Sequence, residues 1–399
     1  MKILIKSNFI LIFILLLFNG RGSSNNVFVF NLDVGFAYVL VLILQIVSLF
    51  MLWTYRKIRI DKITILLSIQ ILLYTLSLLI FPDSIDSMKY YVAALISLGT
   101  YMFFLNSSVN IMNKKMLLLS EMAIIIISLQ MVSLTIRAIT SNIPYYLMKN
   151  YIQTPTGGSN YVGSFLLMFL VLVINLEEKK IRKFIFILLG ILGVVLTRSN
   201  GAMVLLVMIF IFEYGRRCLS SRNLRDSIKY GILIILSGFI LWKTFELFPG
   251  YFERFTLSFQ RFFFGGSEGI VASSNNRVDL YSKSLREIAK NPIIGHGLNY
   301  RNYILDMSAH NLILDQLLKA GLFSAIVFLA YISTLLYNFS KYRKSNKEIK
   351  TLSKMVVVVM INGMFEQNLG GLNFDFFFWL FCGVGMANVN YIKELKYRT

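Results

Sequence analysis

Apolar positions in this chain come in long unbroken runs rather than in the alternating pattern of strands or the one-faced pattern of surface helices. Stretches such as VLVLILQIVSLFMLW (39–53) and GILIILSGFILW (231–242) hold too few polar residues to sit half in water. A window of about 19 residues moved along the chain predicts about twelve membrane spans. They lie near 7–19, 34–53, 63–81, 90–108, 116–136, 161–176, 184–197, 201–213, 229–248, 321–338, 355–370 and 374–391. The expected fold is an all-α polytopic membrane protein, one integral membrane domain over residues 1–399. A large extracytoplasmic loop at 249–320, between spans nine and ten, carries short amphipathic helices.

Composition agrees with this pattern: 56% of residues are apolar and the mean hydropathy is +0.67. A net charge of +20 would suggest nucleic acid in a soluble protein. Here the basic residues cluster in short connections between apolar runs, where they set orientation, so no nucleic-acid partner is expected. Most of the 40 Lys and Arg residues fall on one side if the N-terminus is inside, which predicts cytoplasmic termini in the cell membrane. All five prolines, Pro82, Pro144, Pro155, Pro249 and Pro292, then lie in outer connections. The opening MKILIKSNFILIFILLLF has the shape of a secretory signal, but the following NGRGSS lacks a small-residue cleavage site. A retained first helix is expected. Cys218 and Cys382 imply no disulfide framework, and there is no metal cluster, nucleotide-binding P-loop or internal repeat. No cofactor is expected.

Long connections at 137–160 and 249–320 place the candidate chemistry outside. NNRVDLYSKSLREIAKNP (275–292) reads as a short amphipathic helix, capped by Asn275 or Asn276, with Tyr281, Leu285 and Ile288 on one face and Asn291-Pro292 as its stop. Arg277 falls in its first turn, where a guanidinium and free backbone N–H groups can face one anion. The plainer reading is an arginine lying along lipid headgroups. His296, between Gly295 and Gly297, reads as a polar loop residue. His310 stands at the start of an apolar helix whose residues Leu314, Leu317, Leu318 and Gly321 share its face, while Asn311, Asp315 and Lys319 share another. Its alternatives are a packed histidine bonded to one carbonyl, or a general base.

At these residues the chain resembles a known family. The order of GGSNYVGSFLLMFL (157–170), LTRSNGAMVLLVMIF (196–210), the 275–300 stretch and AHNLILDQLLKAGLFSAI (309–326) is similar to the O-antigen ligase and Wzy-type polysaccharide polymerase superfamily. The similarity covers roughly residues 155–340 and the helix plan. It implies glycosyl transfer on the outer membrane face from a donor glycan on polyprenyl pyrophosphate. By position, Arg277 matches the arginine that contacts the pyrophosphate, and His310 the histidine proposed to activate the acceptor hydroxyl. Asn311 completes the His-Asn pair, and Asn160 matches a polar position at the start of the sixth span. Where the family often has Ser-Arg at a helix junction, this chain reads Thr197-Arg198-Ser199-Asn200-Gly201. Arg198 is therefore shifted two places and Asn200 takes the basic position.

Such a reaction needs cations on the departing pyrophosphate and a base at the attacking oxygen, with no metal and inversion at the anomeric carbon. Arg137, Arg254, Arg261 and Arg301 are further cations predicted outside. Lys243 and Glu246 are spaced to pair on one helix face, and Glu366 and Asp375 lie near the outer ends of the last two spans, with structural pairing the default for each. The resemblance leaves three functions open: a polymerase of lipid-linked repeat units into capsule, exopolysaccharide or O-antigen, a ligase that moves a finished glycan, and a lipid-linked oligosaccharide flippase. A nearly uncharged, proline-free midplane argues against transport. A flippase and a chain-length regulator are the partners a polymerase implies.

Overall fold

The computed structural model describes residues 18–19, 30–31, 34–55, 58–82, 85–107, 109–143, 148–151, 153–154, 157–215, 218, 228, 231–232, 235, 275–305, 308–366, 368–370 and 372–398. The chain is mostly helical, as an all-α membrane protein requires. Among the described residues five helical stretches are long and apolar enough to cross a membrane: Lys62–Ile80, Ser87–Leu105, Met112–Thr140, Ser159–Leu176 and Leu312–Tyr342. We label the helices α1 (Val34–Tyr55), α2 (Lys62–Ile80), α3 (Ile85–Leu105), α4 (Val109–Thr140), α5 (Ser159–Leu176), α6 (Lys180–Thr197), α7 (Asn200–Phe210), α8 (Asn275–Lys290), α9 (Leu312–Tyr342), α10 (Lys347–Gly363) and α11 (Leu372–Arg398). A small antiparallel ribbon pairs Gln153–Thr154 with Gly157–Gly158 just before α5.

Helix starts are set by short polar side chains. Asp61 accepts the Thr64 N–H at 2.8 Å to open α2, Ser199 opens α7, and Asn346 accepts the Ile349 N–H at 2.8 Å to open α10. Helix α5 forms the centre. Its Phe165 and Phe169 meet Phe377 of α11 edge-on at 5.1 and 5.4 Å between ring centres, the geometry aromatic quadrupoles favour. Helix α6 approaches closely because its small residues permit it: a Cβ on Gly193 would come within 2.6 Å of the Ser128 hydroxyl on α4. The outside of the bundle is apolar, with Trp53 and Leu79 largely exposed, which is the surface a lipid-embedded protein presents.

The predicted spans from 34 to 213 each fall on a helix. The first, and most of the ninth at 229–248, lie outside the described residues, as do Lys243 and Glu246. Two expectations need correction. The predicted span 355–370 ends early, because α10 stops at Gly363 and the Glu366 N–H turns back onto the Asn362 carbonyl at 2.9 Å, leaving 364–366 as a turn. In α8, Leu285 does not join the packed face. It is exposed, and Leu280 and Ser284 are buried instead, because the stripe at i and i+4 that meets the loop runs through those two positions.

Helix α9 is broken. Ala320 and Gly321 leave helical geometry, and Gly321 has φ of 74°, a left-handed value glycine adopts without a Cβ clash. The carbonyls and N–H groups freed at the break are taken up by neighbours. Leu318 O accepts the His296 N–H at 2.7 Å and Pro292 O accepts the Leu322 N–H at 2.8 Å. Ser77 of α2 donates its hydroxyl to Lys319 O at 2.8 Å. The turn 291–300 thus plugs the break. What remains beyond it, residues 321–342, is about 33 Å of helix, the thickness of a bilayer core, and begins where the tenth span was expected to begin.

Candidate active site at the head of the broken helix

Asn311 is the N-cap of α9, its side-chain oxygen accepting the Ile313 and Leu314 N–H groups at 2.9 and 3.2 Å. His310 is the residue before that cap. Its φ of 50° is left-handed, a conformation shared among the described non-glycine residues by Asn142 and Arg198 alone. Residues with a Cβ hold this backbone only where surrounding contacts fix it. Here the contacts come from four directions. Tyr281 of α8 donates to the His310 carbonyl at 3.2 Å and contacts Met364 O at 3.1 Å. Asn311 donates to Met364 O at 3.2 Å. The Ala309 N–H reaches the Tyr300 hydroxyl at 3.1 Å.

The fourth contact is chemical. Nδ1 of His310 lies 2.9 Å from Oε1 of Glu366, in the turn between α10 and α11. The other carboxylate oxygen accepts from Asn160 Nδ2 at 2.9 Å. Glu366 is buried and the His310 side chain is 26% exposed, so the acid is sheltered while the imidazole reaches solvent. A carboxylate only accepts hydrogen bonds. In the neutral imidazole the proton therefore sits on Nδ1, and Nε2 keeps the lone pair a base needs. Asn160 is itself held: its carbonyl accepts from Ser164 Oγ at 3.0 Å, and Ser164 in turn accepts from Asn362 of α10.

A buried charge cluster lies one to two turns along the same helix. Asp315, fully buried, faces Lys319 Nζ at 2.7 Å and Arg301 at 3.8 Å. It accepts from the Tyr300 hydroxyl at 2.8 Å. Burial and the adjacent Asp315 push the Tyr300 phenol well above its ordinary range, so it stays a donor. The ring of Tyr90 lies 5.2 Å from the Arg301 guanidinium and 4.6 Å from the Lys319 ammonium. The face containing Asn311, Asp315 and Lys319, separated by the sequence from the apolar one, is thus buried throughout, while Leu314 and Leu317 on the apolar face are only partly so.

The other predicted site residues divide by position. Asn160 joins His310 through Glu366, and Asn311 is its neighbour in the chain. Arg301 stands beside Asp315. Arg198 is the left-handed C-cap of α6, and Asn200 begins α7. Their turn adjoins the start of α5, where Ser159 donates to Thr197 O, so the helix junction named by the sequence neighbours Asn160. Arg137 lies in the last turn of α4, a helix that packs along α6 through Ser128, whose hydroxyl donates to Leu189 O at 2.9 Å. Arg277 is in the first turn of α8, with its side chain outside the described residues. Arg254 and Arg261 also lie outside them. Asp375 accepts the Gly370 N–H at 2.8 Å, a structural role. His296 receives more than a loop role: its Nε2 meets the Glu287 carbonyl of α8 at 2.8 Å. Sequence reasoning missed Tyr281, Tyr300 and the partnership of Glu366. Its one signal was a carboxylate at the outer end of an apolar run.

No protein-family model and no curated protein matches this chain.

Proposed function

We propose that the chain is an extracytoplasmic glycosyltransferase that polymerises polyprenyl-pyrophosphate-linked oligosaccharide repeat units. The observation that supports this reading best is the pairing of His310 with Glu366, with the half-buried Arg301 guanidinium held near Asp315 about one turn further along α9. In the reaction, the acceptor hydroxyl gives its proton to Nε2 of His310 as its oxygen bonds to the donor's anomeric carbon. The carbon–oxygen bond to pyrophosphate breaks on the opposite face, inverting that centre. Glu366 holds the imidazole and stabilises the imidazolium that forms. Polyprenyl pyrophosphate leaves with the bonding electrons, and Arg277 and Arg301 neutralise the charge it gains. Asn160 fixes the carboxylate, and no metal takes part.

The experiment is direct: purified protein in proteoliposomes, supplied with lipid-linked repeat units, is assayed for polymer and released polyprenyl pyrophosphate. Polymer growth that needs His310 supports the proposal. Transfer of a finished glycan to an unrelated acceptor, with no growth of the repeat-unit chain, overturns polymerisation in favour of ligation.

A further inference from the structure

The end of α9 remote from His310 gathers lysines onto one ring. Tyr342, the last residue of that helix, is buried. The ammonium groups of Lys341, Lys393 and Lys396 lie 5.9, 5.7 and 5.8 Å from its ring centre. No two of them can be more than about 12 Å apart, about one and a half screening lengths of physiological salt. Lys341 also stands 6.0 Å from the ring of Tyr337. Orientation in a membrane needs a number of positive charges on one side but not their convergence. Two helices distant in sequence, α9 and α11, bring these three around one ring.

Two acids of nearby elements bond other groups as well. Asp61 caps α2 through Thr64 and accepts from the Tyr101 hydroxyl at 2.6 Å, and Glu394 pairs with Arg59. Burial, and next to it the charge of Lys341, holds the Lys393 ammonium below the ordinary lysine range, with Asp61 pulling the other way. The rim of the cluster is amphipathic. Tyr337, Tyr391 and Leu395 are 66%, 46% and 47% exposed, aromatic and aliphatic groups of the kind that sit at the headgroup level of a bilayer.

We propose that the three ammonium groups over Tyr342 form a headgroup site for an anionic phospholipid of the leaflet at this end of the bundle. The phosphodiester oxygens accept from Lys341, Lys393 and Lys396, and the lipid's apolar part lies along the exposed Tyr337 and Leu395. A soluble phosphate is also an anion, but it has no use for that apolar rim. The site is remote from His310 and stands or falls independently of glycosyl transfer.

The test uses the full chain, equilibrated in phosphatidylcholine vesicles containing phosphatidylglycerol, with retained lipid counted by native mass spectrometry. Wild-type protein should retain phosphatidylglycerol in preference to phosphatidylcholine, and millimolar inorganic phosphate should not displace it. Each lysine near an anionic surface is worth about fivefold in affinity. The triple variant Lys341→Gln, Lys393→Gln, Lys396→Gln should lose at least about tenfold of that preference, while the triple Lys→Arg variant keeps it. If the triple Gln variant does not reach the membrane, Lys396→Gln alone should lower the preference about fivefold. An unchanged preference in either Gln variant overturns the proposal. Displacement of the lipid by inorganic phosphate overturns it in favour of a soluble-anion site.

Discussion

At His310 the chain holds a left-handed backbone, φ 50°, that costs on the order of 1–3 kcal/mol. Tyr281, Tyr300, Asn311 and Glu366 converge to hold it. Those contacts fix the direction of one imidazole, as the proposed reaction requires. His310→Ala should lower polymer formation by at least ~10² with membrane insertion intact, read as polymer per unit of membrane-integrated protein. Glu366→Gln should cost less than His310→Ala but at least about tenfold. Its amide can still meet Nδ1 but cannot stabilise the imidazolium as a carboxylate does. A Gln variant with wild-type turnover would separate Glu366 from the chemistry. For Arg277 the relevant property is shape. Lysine offers a point charge in place of a two-pronged donor, so Arg277→Lys should impair turnover nearly as much as Arg277→Ala. Full activity in the Lys variant would remove the bidentate contact.

Residue-scale legibility was uneven for a physical reason. His310 could be singled out because the chain has 2 histidines and this one sits where a polar loop turns into an apolar helix. Its partner could not. Glu366 is 56 positions away in a turn that the apolar run of 355–370 conceals, and pairing at that distance is decided by packing rather than by local pattern.

Among the elements, the broken α9 carries the most consequence. Hydropathy located the stretch from 321 onward as a span, and amphipathic spacing located the segment before it. The break itself left no signal beyond one glycine in an apolar run, since no proline marks it. The structural cause is the turn 291–300, which supplies the partners that a helix would have found internally. A Cβ at Gly321 would approach the Ile293 carbonyl oxygen to 1.9 Å, at a backbone angle that already disfavours side chains. Gly321→Ala should therefore destabilise the protein by at least about 2 kcal/mol and displace His310 with it. Thermal unfolding in detergent, measured beside turnover, checks both. An Ala variant as stable and active as wild type would mean that the plug does not hold the site. The exposed Leu285 teaches a similar lesson about α8. Periodicity established that helix as amphipathic, but Leu280 and Ser284 are the residues that pack, so the buried stripe lies one position from where the apolar residues alone put it.

Across the whole molecule, the long apolar helices follow from composition because lipid leaves the backbone few alternatives. Their arrangement around α5 does not, since it depends on ring contacts such as Phe165 with Phe377 and on the close approach allowed by Gly193. The proposed chemistry needs the His310 end of the bundle outside the cell and the Tyr342 end inside. Single cysteines introduced at exposed Asp279 and at exposed Lys344, in a variant lacking Cys218, should divide cleanly. A membrane-impermeant thiol reagent added to intact cells should label position 279 and spare 344. The reverse pattern would place His310 in the cytosol, away from an outward-facing lipid-linked glycan.

The central claim is that His310, held by Glu366, activates the acceptor hydroxyl for transfer from a polyprenyl-pyrophosphate donor. Its most direct test is turnover of lipid-linked repeat units by purified wild-type, His310→Ala and Glu366→Gln proteins in proteoliposomes. Polymer and released polyprenyl pyrophosphate should appear together with the wild type, fall at least ~10² with His310→Ala, and fall to an intermediate level with Glu366→Gln. Polymer formed by His310→Ala at the wild-type rate would contradict the account.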